Sequence, residues 1–478
     1  MIRAYNYVMY VILEDIMDRK TTDFLTSLKD KKVALIGIGR SNLPLISLFS
    51  SYGANVIACD RRSLDELDEF GKLAQESGAT LSLGENYLEL SDVDIVLRTP
   101  GMKYYLDKLV DMRNNGVVVT SEMELFFDLC PCKIIAITGS DGKTTTTTIV
   151  SEMLKKAGKT VHLGGNIGKP LLPDIEKINP DDIAVVELSS FQLISMRKSP
   201  DIAIVTNIEP NHLDIHKDMQ EYVDSKKNVI LHQNAFSKAV LNLDNELSDS
   251  FSDDVRGKLS KFSRKSTVFN GCYLDGEDIV YSDFGKLTKI MNYKDIKIPG
   301  MHNVENFMAA ICAVWGLVDV DTIVEVAKTF CGVQHRAEFV RELLGVRYYN
   351  DSIASSPTRT SSGTLSLYEE KIILIAGGYD KNLDYTDLGD KICDKVKHLI
   401  LLGATADKIE TAVKNSTKFD VCGINIKRVD SMENAVKYAK EIAVNGDIVS
   451  MSPASASFDL YKNFEERGNH FKRLVNEL

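Results

Sequence analysis

Lys133-Ile-Ile-Ala-Ile-Thr-Gly-Ser-Asp-Gly-Lys-Thr-Thr145 places an apolar run, a glycine loop and a helix-like stretch in immediate succession. A short continuous apolar run of this kind reads as a strand buried on both faces, as in parallel sheets. A strand that passes through glycines into a helix turns backbone N–H groups and the positive helix end toward any anion held there. Lys143 adds a point charge, and the Thr144 hydroxyl can bind magnesium. The usual phosphate loop has four residues between its glycines, whereas Gly139 and Gly142 have only two between them and position 137 is Ile. A tight turn that merely contains a lysine is the plainer alternative, and the Lys-Thr pair at the helix start weakens it. Ala184-Val-Val-Glu187 then supplies a strand ending in an acid, and magnesium prefers a hard carboxylate near phosphates.

The same alternation extends in both directions. Upstream, Lys32-Val-Ala-Leu-Ile-Gly37, a helical pattern from Leu43 to Ser51 and Asn55-Val-Ile-Ala-Cys-Asp60 predict strand, helix and strand, continued by Asp94–Arg98 and Gly116–Thr120. Downstream, Ile202–Thr206 continues the central unit, and Phe307–Val318 predicts a buried helix. Asn270-Gly271 and Asp275-Gly276 predict hairpins inserted within 251–295. Val346–Tyr349, Lys371–Ala376, Leu399–Leu402 and Asp447–Met451 predict a third parallel α/β unit. With Cys130-Pro131-Cys132 as a connector, the expected division is an extension over 1–30 and domains over 31–131, 132–333 and 334–478.

Composition limits the function classes. At 44% hydrophobic and 26% charged, the 478 residues suit several globular cores rather than disorder or a coiled coil. The 57 Lys and Arg against 68 Asp and Glu give a net charge of −11, which argues against nucleic acid or an anionic membrane as partner. Eight scattered cysteines form no Cys-x-x-Cys pair, so reduced thiols in a cytoplasmic protein are expected. The Val8–Leu13 run is too short to span a membrane.

The shortened Thr138–Thr145 loop resembles the ATP loop of the Mur ligase and folylpolyglutamate synthetase superfamily. Matching blocks follow in order: Gly165-Asn-Ile-Gly168, Glu187-Leu-Ser-Ser-Phe-Gln192, Asn207 with Asn211-His-Leu-Asp214, Tyr222 with Lys226, His302-Asn-Val-Glu-Asn306 and His335-Arg-Ala-Glu338. Further blocks resemble the D-glutamate-adding branch: Ile36–Gly39, Arg98–Gly101, Asn350-Asp-Ser352, Ala376–Lys381, Met451–Asp459 and Phe464-Glu-Glu-Arg-Gly468. The resemblance covers about residues 30 to 478.

It implies a three-domain α/β architecture: a Rossmann-like N-terminal domain, a central parallel sheet of the P-loop ATPase type and a Rossmann-like C-terminal domain. It also implies ATP-dependent ligation of D-glutamate to UDP-N-acetylmuramoyl-L-alanine through an acyl phosphate, by a monomer. Gly139, Ser140, Asp141, Gly142, Lys143, Thr144, Thr145, Asn306, Arg336 and Asp351 would meet ATP. Of two magnesium ions, one would sit on Thr144 and Glu187, and the other on His212 and Lys226, the latter carbamylated by carbon dioxide. Lys143, His212 and Lys226 would be the catalytic residues. Ser41, Asn42, Asp60, Arg61, Thr99, Pro100, Gly101 and Asn166 would face the UDP substrate. Lys381, Ser355, Ser457 and Phe458 would hold D-glutamate.

Taken without the family, Lys226 is a solvated lysine beside Lys227, and His212 is a turn histidine more readily than a magnesium ligand. The chain also departs from the family: where many members read Asp-Ser-Lys-Ala-Thr-Asn, it reads Asp351-Ser-Ile-Ala-Ser-Ser356. A cation is missing there, and Arg359 is the candidate replacement. Three other readings compete. Another acceptor within the superfamily is one. A nicotinamide-dependent oxidoreductase built on Gly37-Ile-Gly39 and Asp60 is the second, although Asn42 stands where the third glycine belongs. The third is a nucleotide-regulated binding module without catalysis.

Overall fold

The computed structural model describes residues 19–210 and 215–478. Its first sheet is built from β1 (Lys32–Ile36), β2 (Asn55–Asp60), β3 (Thr80–Leu83), β4 (Ile95–Leu97) and β5 (Val118–Thr120). The order is β3-β2-β1-β4-β5, with every pair parallel. Strand order reverses beside β1, which puts the loops after β1 and β4 at a switch point, where such sheets bind ligands. β3 was not expected: it is a short edge strand with half-exposed residues and no apolar run.

The second sheet contains β6 (Lys133–Thr138), β7 (Val161–Gly165), β8 (Ile183–Glu187), β9 (Ile202–Val205), β10 (Lys238–Asn242), β11 (Lys258–Ser263), β12 (Gly271–Asp275), β13 (Asp278–Asp283) and β14 (Lys286–Asn292). Its order is β14-β13-β12-β11-β10-β9-β6-β8-β7. β8 is buried along its whole length, as its apolar sequence requires.

The expected hairpin at Asn270-Gly271 is a misreading. β11 and β12 pair in parallel, and Gly271 crosses so close to β11 that a Cβ there would lie 1.8 Å from the Lys261 carbonyl oxygen. Glycine serves a close approach here, not a turn. The hairpins join β12 to β13 and β13 to β14, and they extend the main sheet rather than forming a separate insert. The helix expected from Phe307 to Val318 runs from Met301 to Val314.

The third sheet has β15 (Glu338–Leu343), β16 (Val346–Asn350), β17 (Ile372–Ala376), β18 (Val396–Leu401), β19 (Asn425–Arg428) and β20 (Ile448–Met451). In the order β15-β16-β20-β17-β18-β19, only the β15–β16 pair is antiparallel. The expected strands omitted both edge strands, β15 and β19, and of these only β15 departs from the parallel order.

The chain divides into two compact units. One runs through Tyr293 and takes in Glu305–Val326; the other comprises Lys294–Val304 and Ala327–Leu478. In the first unit a continuous apolar core joins the first two sheets. Residues 19–30, set apart by sequence as an extension, contribute Leu25 and Leu28 to that core. Buried Arg98, just beyond β4, donates to the Phe191 carbonyl (3.0 Å) and the Ser195 hydroxyl (2.7 Å) and so ties the two layers together. In the second unit, apolar clusters pack on the sheet through Leu374 and Leu399 on one side and Ile373 and Ile400 on the other. No helix among the described residues is long and apolar enough to cross a membrane.

Candidate active site

The loop after β6 is shaped by what presses on it. Gly139 has φ of 149°, and a Cβ there would fall 1.9 Å from the Thr206 hydroxyl; at Gly142 (φ 77°) it would fall 2.4 Å from Asn306 Oδ1. The loop after β9 holds the other side. Ser140 N donates to the Asn207 carbonyl (2.8 Å), Asp141 N to Asn207 Oδ1 (2.9 Å), and Thr206 Oγ1 to the Asp141 carbonyl (2.6 Å). Ser140 Oγ also donates to the Glu209 carbonyl, accepts from Glu209 N and meets the Tyr222 hydroxyl at 2.9 Å.

The helix Lys143–Lys156 starts directly from this loop with no side-chain cap. Its first N–H groups therefore face the loop cavity, the arrangement that binds phosphate. Lys143 Nζ folds over the loop and donates to the carbonyls of Gly139 (3.0 Å) and Ser140 (2.9 Å). Thr145 occupies the same first turn and is half-buried.

Glu187, at the end of β8 and 1% exposed, accepts from Thr144 Oγ1 and Asn166 Nδ2, both at 2.7 Å. A hydroxyl beside a carboxylate at a phosphate loop is a hard-oxygen pair suited to magnesium. Among the described residues, no group of three or more His, Cys, Asp or Glu side chains could hold a metal.

Lys226 overturns its solvated reading. On the helix Met219–Leu231 it lies one turn after Tyr222, so both face the phosphate loop. It is 2% exposed, its Nζ donates to the Gly139 carbonyl at 2.6 Å, and it stands 4.7 Å from the Tyr222 ring centroid. Burial first, and the nearby Lys143 charge second, push its pKa down to about 7. Burial favours the neutral amine, the form that reacts with carbon dioxide, so this buried position at the phosphate loop fits a carbamate. His212, the expected metal ligand, lies outside the described residues with Asn211, Leu213 and Asp214.

Sequence reasoning missed His216. Its buried ring stacks on Phe191 at 5.0 Å, Nε2 meets Ser190 Oγ at 2.8 Å, and Nδ1 lies 3.2 Å from Glu221. It lines a cleft of about 640 Å³ with Pro100, Gly101, Tyr104, Phe191 and Ile194. The Phe191-Gln192 block gave a signal; a lone histidine gave none.

Of the expected UDP-substrate residues, Pro100 and Gly101 line this cleft, and the Thr99 side chain lies 3.1 Å from where a Gly37 Cβ would be. Asn42 is turned inward and donates to the carbonyls of Ile36 (2.8 Å) and Gly37 (3.2 Å). Asp60 accepts from Ile38 N (2.8 Å) and is held by Arg62, which keeps its carboxyl below the usual range. Ser41 and Arg61 are exposed, and Asn166 is engaged with Glu187.

In the second unit, Asp351 follows β16 and is buried. It accepts from Ala337 N (3.1 Å), Ser452 Oγ (3.2 Å) and Thr364 Oγ1, and burial pushes its pKa up to about 6. Arg336 is exposed, in a turn where His335 and Ala337 both have positive φ. Lys381 Nζ stands 5.8 Å from the Phe458 ring centroid, and Phe458 meets Tyr379 edge-on. Ser355 and buried Ser457 lie in the loops leaving the paired strands β16 and β20. Arg359 Nη1 is 3.4 Å from the Ile353 carbonyl oxygen, beside the position that lacks a cation.

An uncapped helix behind a glycine loop, a threonine–carboxylate pair and a buried lysine define a nucleotide-dependent phosphoryl-transfer site. Family models agree: the Mur ligase middle domain matches residues 137–314, and the Mur ligase glutamate ligase domain matches 335–455. The chain belongs to the Mur ligase family. A relative from Acetivibrio thermocellus, named UDP-N-acetylmuramoylalanine–D-glutamate ligase, is 51% identical over 467 residues, covering 97% of this chain and all of the relative. One of the same name from Clostridium acetobutylicum is 49% identical over 470 residues, with the same coverage. The solved UDP-N-acetylmuramate-alanine ligase of Thermotoga maritima superposes with a TM-score of 0.55 at 17% identity, covering 93% of this chain and 99% of that one, a likeness of fold.

Proposed function

We infer that the protein is an ATP-dependent ligase that joins D-glutamate to UDP-N-acetylmuramoyl-L-alanine in peptidoglycan precursor synthesis. The observation that carries this reading is the near-full-length likeness to D-glutamate ligases in a chain whose phosphate loop is bonded as described to Lys226 and, through Thr144, to Glu187.

A carboxylate oxygen of the UDP substrate bonds to the γ-phosphorus of ATP while the bond to the β-phosphate oxygen breaks and ADP leaves. The amine of D-glutamate, after losing a proton, then attacks the acyl carbon, and phosphate departs. The first step brings two anions together, so the chain's work is positioning and neutralising charge. Lys143 and the helix N–H groups do this at the phosphates. Asn306 and Thr206 keep the loop open to them by filling the space beside Gly142 and Gly139.

Thr144 and Glu187 would hold one magnesium ion, and His212 with carbamylated Lys226 a second; bound there, they would neutralise charge on the phosphates and on the attacking carboxylate. Arg336 and Asp351 face the nucleotide. Lys381, Ser355, Ser457 and Phe458 take D-glutamate, with Arg359 supplying the cation missing at Ile353. The domains are 31–131 for the UDP substrate, 132–333 for ATP and 334–478 for the amino acid. The enzyme works as a monomer in the cytoplasm, where its ATP is made.

The test is phosphate release from ATP with UDP-N-acetylmuramoyl-L-alanine and D-glutamate, L-glutamate or L-lysine. Release is expected with D-glutamate alone. Release without the UDP substrate, or equal release with all three amino acids, would overturn the assignment.

A further inference from the structure

The first turn of the helix Phe464–Asn476 carries a residue that the reaction scheme leaves unused. Arg467 is 3% exposed, and each of its three guanidinium nitrogens donates a hydrogen bond. Nε donates to Ser352 Oγ (3.0 Å), Nη2 to the Ser352 carbonyl (2.9 Å) and Nη1 to the Ala456 carbonyl (2.9 Å). Ser352 Oγ in turn donates to the Phe464 carbonyl at 2.7 Å, closing the ring back to the helix.

Neighbouring glycines show how tightly this point is packed. A Cβ on Gly378 would lie 2.2 Å from the Ala456 carbonyl oxygen and 3.1 Å from Nη1, and one on Gly468 would lie 2.1 Å from His335 Nδ1. Three loops therefore meet at one guanidinium: the one after β16 with Asp351 and Ser355, the one after β17 leading to Lys381, and the one after β20 with Ser457 and Phe458.

Burying a cation to anchor a helix end is costly when an apolar side chain would do. Among the described residues, none of Arg467's hydrogen bonds goes to a carboxylate; Asp459 acts only through its charge, and burial lowers the arginine's pKa to about 10. What the planar fork provides, and an apolar group does not, is a fixed angle between two backbone segments.

We propose that Arg467 is a positioning residue for the ligation, holding the loop after β16 in register with the loop after β20 so that the amino-acid contacts and the nucleotide contacts of this unit form together. The inference rests on the reading that Lys381, Ser355, Ser457 and Phe458 take D-glutamate and Asp351 takes ATP.

The experiment is steady-state kinetics of the full-length enzyme with Arg467→Lys, which keeps the charge and loses the fork. KM for D-glutamate and for ATP should each rise about tenfold, the worth of one hydrogen bond to a charged group, while KM for the UDP substrate stays near wild type. Arg467→Ala should regain part of its D-glutamate affinity in millimolar guanidinium. Ser352→Ala, which removes one acceptor, should show the same pattern in smaller measure, and it decides the matter if neither arginine variant folds. Unchanged KM values, or a fall in kcat and melting temperature with all three KM values intact, would make Arg467 a structural residue only. Wild-type enzyme that releases no phosphate with D-glutamate would instead defeat the functional reading itself.

Discussion

Lys226 Nζ donates to the Gly139 carbonyl at 2.6 Å, so the buried lysine and the phosphate loop share a bond across 87 residues of sequence. If the amine becomes a carbamate, Lys226→Ala should lower turnover by roughly a hundredfold or more, the scale of losing an electrostatic catalytic group. Acetate or propionate should restore part of it by occupying the vacated carboxylate position. Full activity in the unrescued variant would exclude the role.

Glu187→Gln keeps the shape and removes the charge at the bond to Thr144. The half-saturating magnesium concentration should rise at least tenfold, a loss of about 1.4 kcal/mol, with kcat also reduced. A magnesium titration of phosphate release reads this directly, and an unshifted curve would mean the carboxylate is not a ligand.

Gly139→Ala drives a methyl group into the Thr206 hydroxyl and asks an alanine to adopt φ of 149°. The expected cost is about 1–3 kcal/mol of stability, seen as a lower melting temperature. Adding Thr206→Ala should recover the part due to the clash and leave the part due to the backbone. Complete recovery would show that backbone strain contributes nothing.

Asp351 supplies a pH test. Its folded pKa, raised to about 6 from 3.8, means that the folded state holds a proton the unfolded state has lost between those values. Stability from this group is therefore present below about pH 4 and lost as pH rises through 6. Asp351→Asn escapes that loss. Its unfolding free energy relative to wild type should be more favourable at pH 7.5 than at pH 4.5, by on the order of 1–3 kcal/mol, as denaturant titrations at the two pH values would read. A difference independent of pH would mean the carboxyl titrates normally.

Arg359→Ala should raise KM for D-glutamate about tenfold and leave that for the UDP substrate alone, as expected for loss of one charge-assisted contact. An unchanged D-glutamate KM would remove Arg359 as the substitute for the cation missing at Ile353.

The phosphate loop was legible because glycines, a lysine and a threonine at a strand-to-helix junction carry their geometry and charge in the residue types themselves. Burial of Lys226 was not, since it arises from Tyr222 and the loop after β6 closing over a side chain that no local pattern distinguishes from Lys227. β3, β15 and β19 escaped because edge strands expose half their residues and leave no apolar run. Asn270-Gly271 misled because its hairpin preference is real, and parallel pairing of β11 with β12 overrode it. Arg467 stood within a block matched to the family, yet its fork is visible only once Ser352 and Ala456 have been brought to it.

The position of β6 between β8 and β9 has a kinetic meaning. Both neighbours follow it in the chain, and the contacts that shape the phosphate loop and the start of its helix are also distant, 65 residues from Asp141 to Thr206 and 160 from Thr146 to Asn306. Closing such distances precedes any gain from the contacts themselves, whereas β12, β13 and β14 can pair locally as soon as they exist. On the ribosome, Thr206 and Asn306 emerge well after the Thr138–Thr145 signature, so the loop acquires its final shape only once both have arrived.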